Sequence, residues 1–320
     1  MISPTLNQNH CRRRPLAQLT FGLLMGRTPS AIGRRIDALA HWLLRWRIIA
    51  APAKWLANSR LAWSFISRTD RIRRNRLRDR VISAGPEMMP KHISMIMDGN
   101  RRFAWNRSMQ TEAGHSAGKQ KLKEVMRWVL DLEIPYLTVY ALSTENLSSR
   151  DQSELETLFD LYVSGLEEIS QDPLIHDNKV RVKVVGRKDL LPERVRNVIV
   201  KAEEATSEYS DFLFTICLAY GGREEIVDAV KEIAEAHASG SIDLDSIDPS
   251  AISTRLYTAD LPDPDLVIRT SGEERISNFL LWQIAYSELY FSDVHWPSFR
   301  RRDLYEAIED YQMRRRRYGG

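Results

Sequence analysis

Cysteine is nearly absent from the 320 residues. Cys11 and Cys217 lie far apart in unlike contexts, which argues against a disulfide framework or a thiolate metal site. They read as a loose terminal thiol and a buried strand cysteine in a reducing compartment. The chain also has no run of about 18 apolar residues free of charge, which argues against a spanning helix. Residues 91–320 show no internal repeat or low-complexity segment, which argues against a repeat array there.

Acidic residues are scarce in one place only. Residues 1–90 hold 17 Lys and Arg against Asp37, Asp70, Asp79 and Glu87, about +13; the totals of 46 basic and 43 acidic residues leave 29 and 39 for residues 91–320, about −10. The net charge of +3 therefore hides a basic leader joined to an acidic globule.

Within the leader, Ile32, Ile36, Leu39 and Leu43 recur at helical spacing, and Trp42, Trp46, Trp55 and Trp63 fall among arginines. This mixture suits a helix lying at a membrane interface. An Arg-rich organelle transit peptide, a helical hairpin packed on the globule, and a leader translated from a wrongly assigned start are the alternatives. The expected location is cytoplasmic, with peripheral membrane attachment or organelle targeting resting on residues 1–90.

Gly85-Pro86 and Pro90 close the leader, and the pattern changes to alternating strands and helices. Apolar runs at Ile93–Met97, Leu137–Leu142, Val180–Val185, Phe212–Ala219 and Leu266–Ile268 read as buried strands. Helical patterns fall near 116–131, 151–171, 192–208, 223–238 and 301–316. The expected fold class is α/β: a parallel sheet flanked by helices, one domain over residues 91–320, with the basic helical extension 1–90 before it.

In such a sheet, ligands sit beyond the carboxyl ends of the strands. Three polar loops are expected there: Asp98-Gly99-Asn100-Arg101-Arg102, Ser143-Thr144-Glu145-Asn146, and Arg269-Thr270-Ser271-Gly272. Taken singly, each reads as a turn, a helix cap or a solvated loop. Together on one edge they suit a metal-bound diphosphate, because paired guanidinium groups hold phosphate oxygens bidentately. Gly114-His115-Ser116-Ala117-Gly118-Lys119 looks like a phosphate loop, but its glycine spacing is one residue short and Gln120 stands where Ser or Thr would hold magnesium. Its amides could still receive a phosphate at the start of the next helix.

The segments HISMIMDGNRRFA (His92–Ala104), TVYALSTENL (Thr138–Leu147), YGGREEI (Tyr220–Ile226) and DLVIRTSGEERISNFLLWQIAYSELYF (Asp265–Phe291) closely resemble the cis-prenyltransferases, the undecaprenyl diphosphate synthase family. The resemblance covers about residues 91–320 and leaves the leader outside. It implies a homodimeric, magnesium-dependent transferase that condenses isopentenyl diphosphate with an allylic diphosphate of geranyl or farnesyl type, each new double bond being cis.

By the same resemblance, Asp98 is the catalytic and Mg2+-binding aspartate, and Glu288 a second metal carboxylate. Gly99, Asn100, Arg101, Arg102, Phe103 and His115 fall on the diphosphate-binding positions. Ser143, Thr144, Glu145, Leu147 and Arg150 fall on the substrate loop, with Asn146 near proton removal. Arg269, Arg275, Ile276 and Ser277 fall on the isopentenyl diphosphate contacts.

The chain departs from the family pattern in places. Thr111 replaces a usual diphosphate arginine, for which Arg101 or Arg107 could compensate; Arg101, Leu147 and Glu274 stand where glycine, tryptophan and histidine are common. Ala141, where shorter-product relatives carry a bulky residue, leaves room for a longer chain. The trans-prenyltransferases rely on adjacent aspartates, and this chain has none. A catalytically silent partner subunit and a nucleic-acid binder are the other two readings. The retained Asp98, Arg269 and Glu288 argue against the first, and the lack of a recognition module argues against the second, so no nucleic acid is expected.

Overall fold

The computed structural model describes the backbone of residues 60–318 and the side chains of residues 71–314. The chain divides into two units, Met1–Arg73 and Arg74–Gly320. The interfacial pattern at Ile32–Leu43 and Trp42, Trp46 and Trp55 lie outside the described residues, as does Cys11, and of Trp63 only the backbone is described. Among the described residues, no helix is long and apolar enough to cross a membrane.

Six parallel strands form one sheet: β1 (His92–Ile96), β2 (Tyr136–Tyr140), β3 (Val180–Val185), β4 (Phe212–Cys217), β5 (Leu266–Arg269) and β6 (Glu288–Phe291). Their order is β3-β4-β2-β1-β5-β6. All residues of β1 are buried, as a strand near the middle of a sheet covered on both faces requires. Five of these strands lie where the apolar runs predict them. The sixth, β6, was missed. Its Glu-Leu-Tyr-Phe is only four residues long and half-buried throughout, so neither alternation nor a long apolar run marks it.

Among the described residues the α-helices are α1 (Arg60–Ser83), α2 (Asn100–Trp105), α3 (Thr111–Leu130), α4 (Thr144–Ser149), α5 (Gln152–Ile169), α6 (Pro173–Asp177), α7 (Glu193–Ala205), α8 (Gly222–Ala238), α9 (Pro249–Ser253) and α10 (Arg301–Tyr318). Residues 74–90, read from sequence as part of the extension, pack within the second unit. Leu77 and Val81 of α1 are buried in its core, and Gln312 Nε2 of α10 donates to the Val81 carbonyl at 3.0 Å. The long amphipathic helices bury their apolar faces against the sheet: Val125, Met126 and Val129 from α3, Leu155, Leu158, Phe159 and Leu166 from α5. Cys217 is buried and free.

Gly114-Lys119 is not a phosphate loop. It lies inside α3, which begins three residues earlier at Thr111, so its later amides are spent on helical hydrogen bonds. Its glycines serve packing: a Cβ on Gly114 would stand 2.3 Å from the Asn100 carbonyl oxygen, and one on Gly118 would stand 2.5 Å from Asn100 Oδ1. Small residues there let α3 press against the start of α2.

Candidate active site

Beyond the carboxyl ends of β1, β2 and β5 the chain encloses a cavity of about 1160 Å3. Strand β1 delivers Asp98, and the turn after it depends on Gly99, whose φ of 104° lies in the left-handed region. A Cβ on Gly99 would also meet Ser271 Oγ at 2.6 Å. The Asp98 carbonyl accepts from Thr270 Oγ1 at 2.7 Å and from the Trp296 amide at 3.0 Å, so two distant segments fix its position.

The Asp98 carboxylate accepts from Arg269 Nη2 at 2.9 Å and pairs with Arg102 at 3.1 Å. Burial pushes this carboxyl up, but the hydrogen bonds and charges of Arg269 and Arg102 outweigh it and hold the group below its ordinary value. Asp98 is therefore ionised at neutral pH. Arg269 is buried and also donates to Ser277 Oγ at 2.7 Å and to the Arg275 carbonyl.

A second carboxylate, absent from the sequence reading, organises the other side. Glu154, in the first turn of α5, accepts from Arg101 Nε at 2.8 Å, from Arg150 Nη1 at 2.5 Å, and lies 3.0 Å from His115 Nε2. Burial works to raise its pKa, and the Arg101 hydrogen bond and the Arg150 charge reverse that. His115 is lowered, chiefly by burial, so it is neutral at pH 7 and donates through Nε2. Glu273 pairs likewise with Arg102 at 2.7 Å and with Arg275. The spacing of Arg150 and Glu154 on a helix start was the one signal that could have found Glu154.

The loop after β2 is capped by Ser143, whose Oγ accepts from the Asn146 amide at 3.0 Å. Asn278 ties it to the late motif, donating to Glu145 at 2.9 Å and to Glu224 at 3.1 Å while accepting from the Arg223 amide at 2.9 Å.

The structure thus brings Asp98, Gly99, Asn100, Arg101, Arg102, His115, Ser143, Glu145, Asn146, Arg150, Arg269, Arg275, Ile276 and Ser277 to one cavity. Phe103, Thr144 and Leu147 do not line it. Leu147 packs against the core, and Phe103 carries the Arg107 guanidinium 3.8 Å from its ring centroid. Of the two arginines that could compensate for Thr111, Arg101 lines the cavity and Arg107 does not.

Within one chain Glu288 stands apart from Asp98. It opens β6 in register with Leu266, at the amino end of the sheet, whereas Asp98 lies beyond the carboxyl end of β1. Its carboxylate accepts from Arg314 at 3.0 Å. Among the described residues, no group of three or more His, Cys, Asp or Glu side chains could hold a metal ion.

The charged mouth opens into an apolar body lined by Leu122 and Met126 of α3, Leu158, Leu161, Tyr162, Leu166 and Ile169 of α5, and Phe214, Ile216 and Leu218 beneath. Arg150 Nε and Arg269 Nε, both buried, have no hydrogen-bond partner. Buried donors in native proteins are paired as a rule, so two orphaned guanidinium donors at one mouth suit an anionic ligand.

The sequence matches the prenyltransferase family described as undecaprenyl diphosphate synthase over residues 96–319. It is 53% identical over 231 residues to the tritrans,polycis-undecaprenyl-diphosphate synthase (geranylgeranyl-diphosphate specific) of Methanopyrus kandleri, covering 72% of this chain and 85% of that protein. The enzyme of the same name from Methanocaldococcus jannaschii is 51% identical over 233 residues, covering 72% and 83%. The crystal structure of lavandulyl diphosphate synthase from Lavandula x intermedia, in complex with dimethylallyl diphosphate, superposes with a TM-score of 0.68 at 33% identity, covering 71% of this chain and 96% of that one. A charged mouth on an apolar cavity at the carboxyl edge of a parallel sheet is the site such enzymes need, and the chain belongs to the undecaprenyl diphosphate synthase family, a transferase of prenyl groups.

Proposed function

We propose that the chain lengthens an allylic diphosphate by cis addition of isopentenyl diphosphate, in a magnesium-dependent reaction that yields a long polyprenyl diphosphate. The observation that carries this reading is a single cavity whose arginine-rich mouth continues into an apolar body. One end suits diphosphate and the other a hydrocarbon tail. Names of relatives at 53% and 51% identity favour geranylgeranyl diphosphate as primer, above the geranyl or farnesyl type expected from sequence.

Asp98, with Arg101, Arg102, His115 and Arg150, is proposed to hold the allylic diphosphate; Arg269, Arg275 and Ser277 hold that of isopentenyl diphosphate. An arginine has five donors, so Arg101 and Arg150 can remain on Glu154 while turning others to phosphate. Holding both diphosphates places the allylic carbon against the isopentenyl double bond, and such positioning removes several kcal/mol of barrier, on the order of 7 or more in well-oriented cases. Asn146 is a poor base, and its place beside Ser143 suits it to orienting the proton acceptor.

Magnesium usually keeps waters and binds one or two carboxylates plus substrate phosphates, so within one chain Asp98 fits as a protein ligand, with Glu288 the second carboxylate the family resemblance names. When bound, it neutralises charge on the departing diphosphate. Incubating the purified full chain with radiolabelled isopentenyl diphosphate and geranyl, farnesyl or geranylgeranyl diphosphate is expected to give labelled polyprenyl diphosphate, most readily from the last. Chelation of divalent cations is expected to abolish it. Failure of the single purified chain to incorporate label with any primer would favour the silent-subunit reading.

The homodimer and membrane contact are part of the same proposal. A product of several five-carbon units, at roughly 0.8 kcal/mol per buried methylene-sized group, strongly prefers apolar surroundings. Arg71, Arg73, Arg76 and Arg78 of α1 are exposed and could meet anionic headgroups. Light scattering and flotation with anionic vesicles test the two, and a monomer, or a chain that stays below the vesicles, would remove the respective part.

A further inference from the structure

The apolar body of the cavity has one charged wall. Helix α3 lines it with Lys119 and Lys123 as well as Leu122 and Met126, and both lysines reach across to α5. Lys119 Nζ donates to Ser164 Oγ at 2.9 Å and to Glu168 Oε1 at 2.6 Å. Lys123 Nζ lies 2.5 Å from Glu168 Oε2 and 3.6 Å from Asp172, itself a lining residue. Each oxygen of Glu168 thus takes one lysine, and the two helices are bridged one turn apart along α3. Hydrogen bonds from Lys119 and Lys123 hold the Glu168 carboxyl below its ordinary value.

This bridge lies at the rim. The side chains of Lys119, Lys123 and Glu168 are 24%, 31% and 43% exposed, while Leu158 and Leu166 beside it are buried. The Lys119 stem runs beside Gly165, whose Cβ position would lie 3.7 Å from Lys119 Cε, an ordinary packing distance. The stems therefore complete the apolar wall while the ammonium groups and Glu168 interrupt it on this side, between the leucines and the further lining of Met126, Ile169 and Ile175. A hydrocarbon tail growing past that line would cover charged groups and exclude their water without offering hydrogen bonds in return. Growth is favoured along the leucines and opposed at the bridge.

We propose that the Lys119–Glu168–Lys123 bridge limits product length, as a specificity-determining element on the side wall of the cavity. The inference rests on the reading that this cavity holds the growing prenyl chain. Methionine keeps the length of the lysine stem and removes its charge, so Lys123→Met and the double variant Lys119→Met/Lys123→Met extend the apolar wall. Lys121→Met, on the same helix but off the cavity and paired with Glu124, is the control.

Product chain lengths from labelled isopentenyl diphosphate are compared for the four full-length proteins. The expected result is a longest abundant product one or more five-carbon units longer in Lys123→Met and in the double variant, with Lys121→Met unchanged from the parent. Should the double variant not fold, Lys123→Met decides alone. Unchanged or shorter products in Lys123→Met, from a parent that does elongate, would overturn the bridge while leaving the elongation reading intact. A parent that makes no prenyl diphosphate overturns both.

Discussion

Asp98→Asn is expected to lower turnover by on the order of 10³-fold, equivalent to about 4 kcal/mol of transition-state stabilisation. The amide keeps the shape of the carboxylate, but Arg269 and Arg102 stand 2.9 and 3.1 Å from different oxygens of it, and the single amide oxygen can accept from only one of them. It also loses the negative charge. The carboxylate is ionised at neutral pH because its arginines outweigh its burial, so the substitution removes a full charge at the place proposed for a cation bound to diphosphate. The backbone anchors, from Thr270 and the Trp296 amide to the Asp98 carbonyl, are untouched. Circular dichroism should therefore match the parent while steady-state kinetics with saturating magnesium show the loss in kcat. Near-parental turnover in a folded variant would remove Asp98 from the reaction.

Trp296→Ala is expected to cost about 3–5 kcal/mol of stability, the range for truncating a large buried aromatic. Trp296 is 1% exposed, stacks on Phe299 with ring centroids 5.9 Å apart, and donates from Nε1 to the Gly118 carbonyl at 2.9 Å. Truncation leaves a cavity and a carbonyl without its partner, against the glycine face that lets α3 meet Asn100. Thermal unfolding should show it, at roughly 2–4 °C per kcal/mol for a unit of this size. Because the Trp296 amide also holds the Asp98 carbonyl, the surviving fraction should bind diphosphate more weakly. Trp296→Phe keeps most of the apolar area and should lose less of both. A melting temperature within 2 °C of the parent for Trp296→Ala would mean that this side chain is not the clamp between α3 and the Asp98 loop.

How far the site could be read from sequence follows from the range of the interactions involved. Asp98-Gly99-Asn100 was legible because a buried strand ending in a turn is a local event, carried by adjacent residues. Arg269 and Ser277 were legible through the late motif, again within one segment. Glu154 was not, since its one local signal is the four-residue spacing from Arg150, and only folding brings Arg101 and His115 to it. Glu288 belongs to a motif that is local and clear, but only the parallel register of β6 on β5 places it, within this chain, at the amino end of the sheet.

The sequence by itself determined the α/β class, the five strands with apolar runs, the long helices and the family, because burial periodicity and contiguous motifs are properties of neighbouring residues. Only the tertiary structure decided that Gly114–Lys119 lies within a helix, that Glu154 and Glu273 hold the arginines of the mouth, and that Lys119 and Lys123 share Glu168. Those contacts join residues tens to well over a hundred positions apart. Their partners are chosen by strand order and helix packing, which no local pattern encodes.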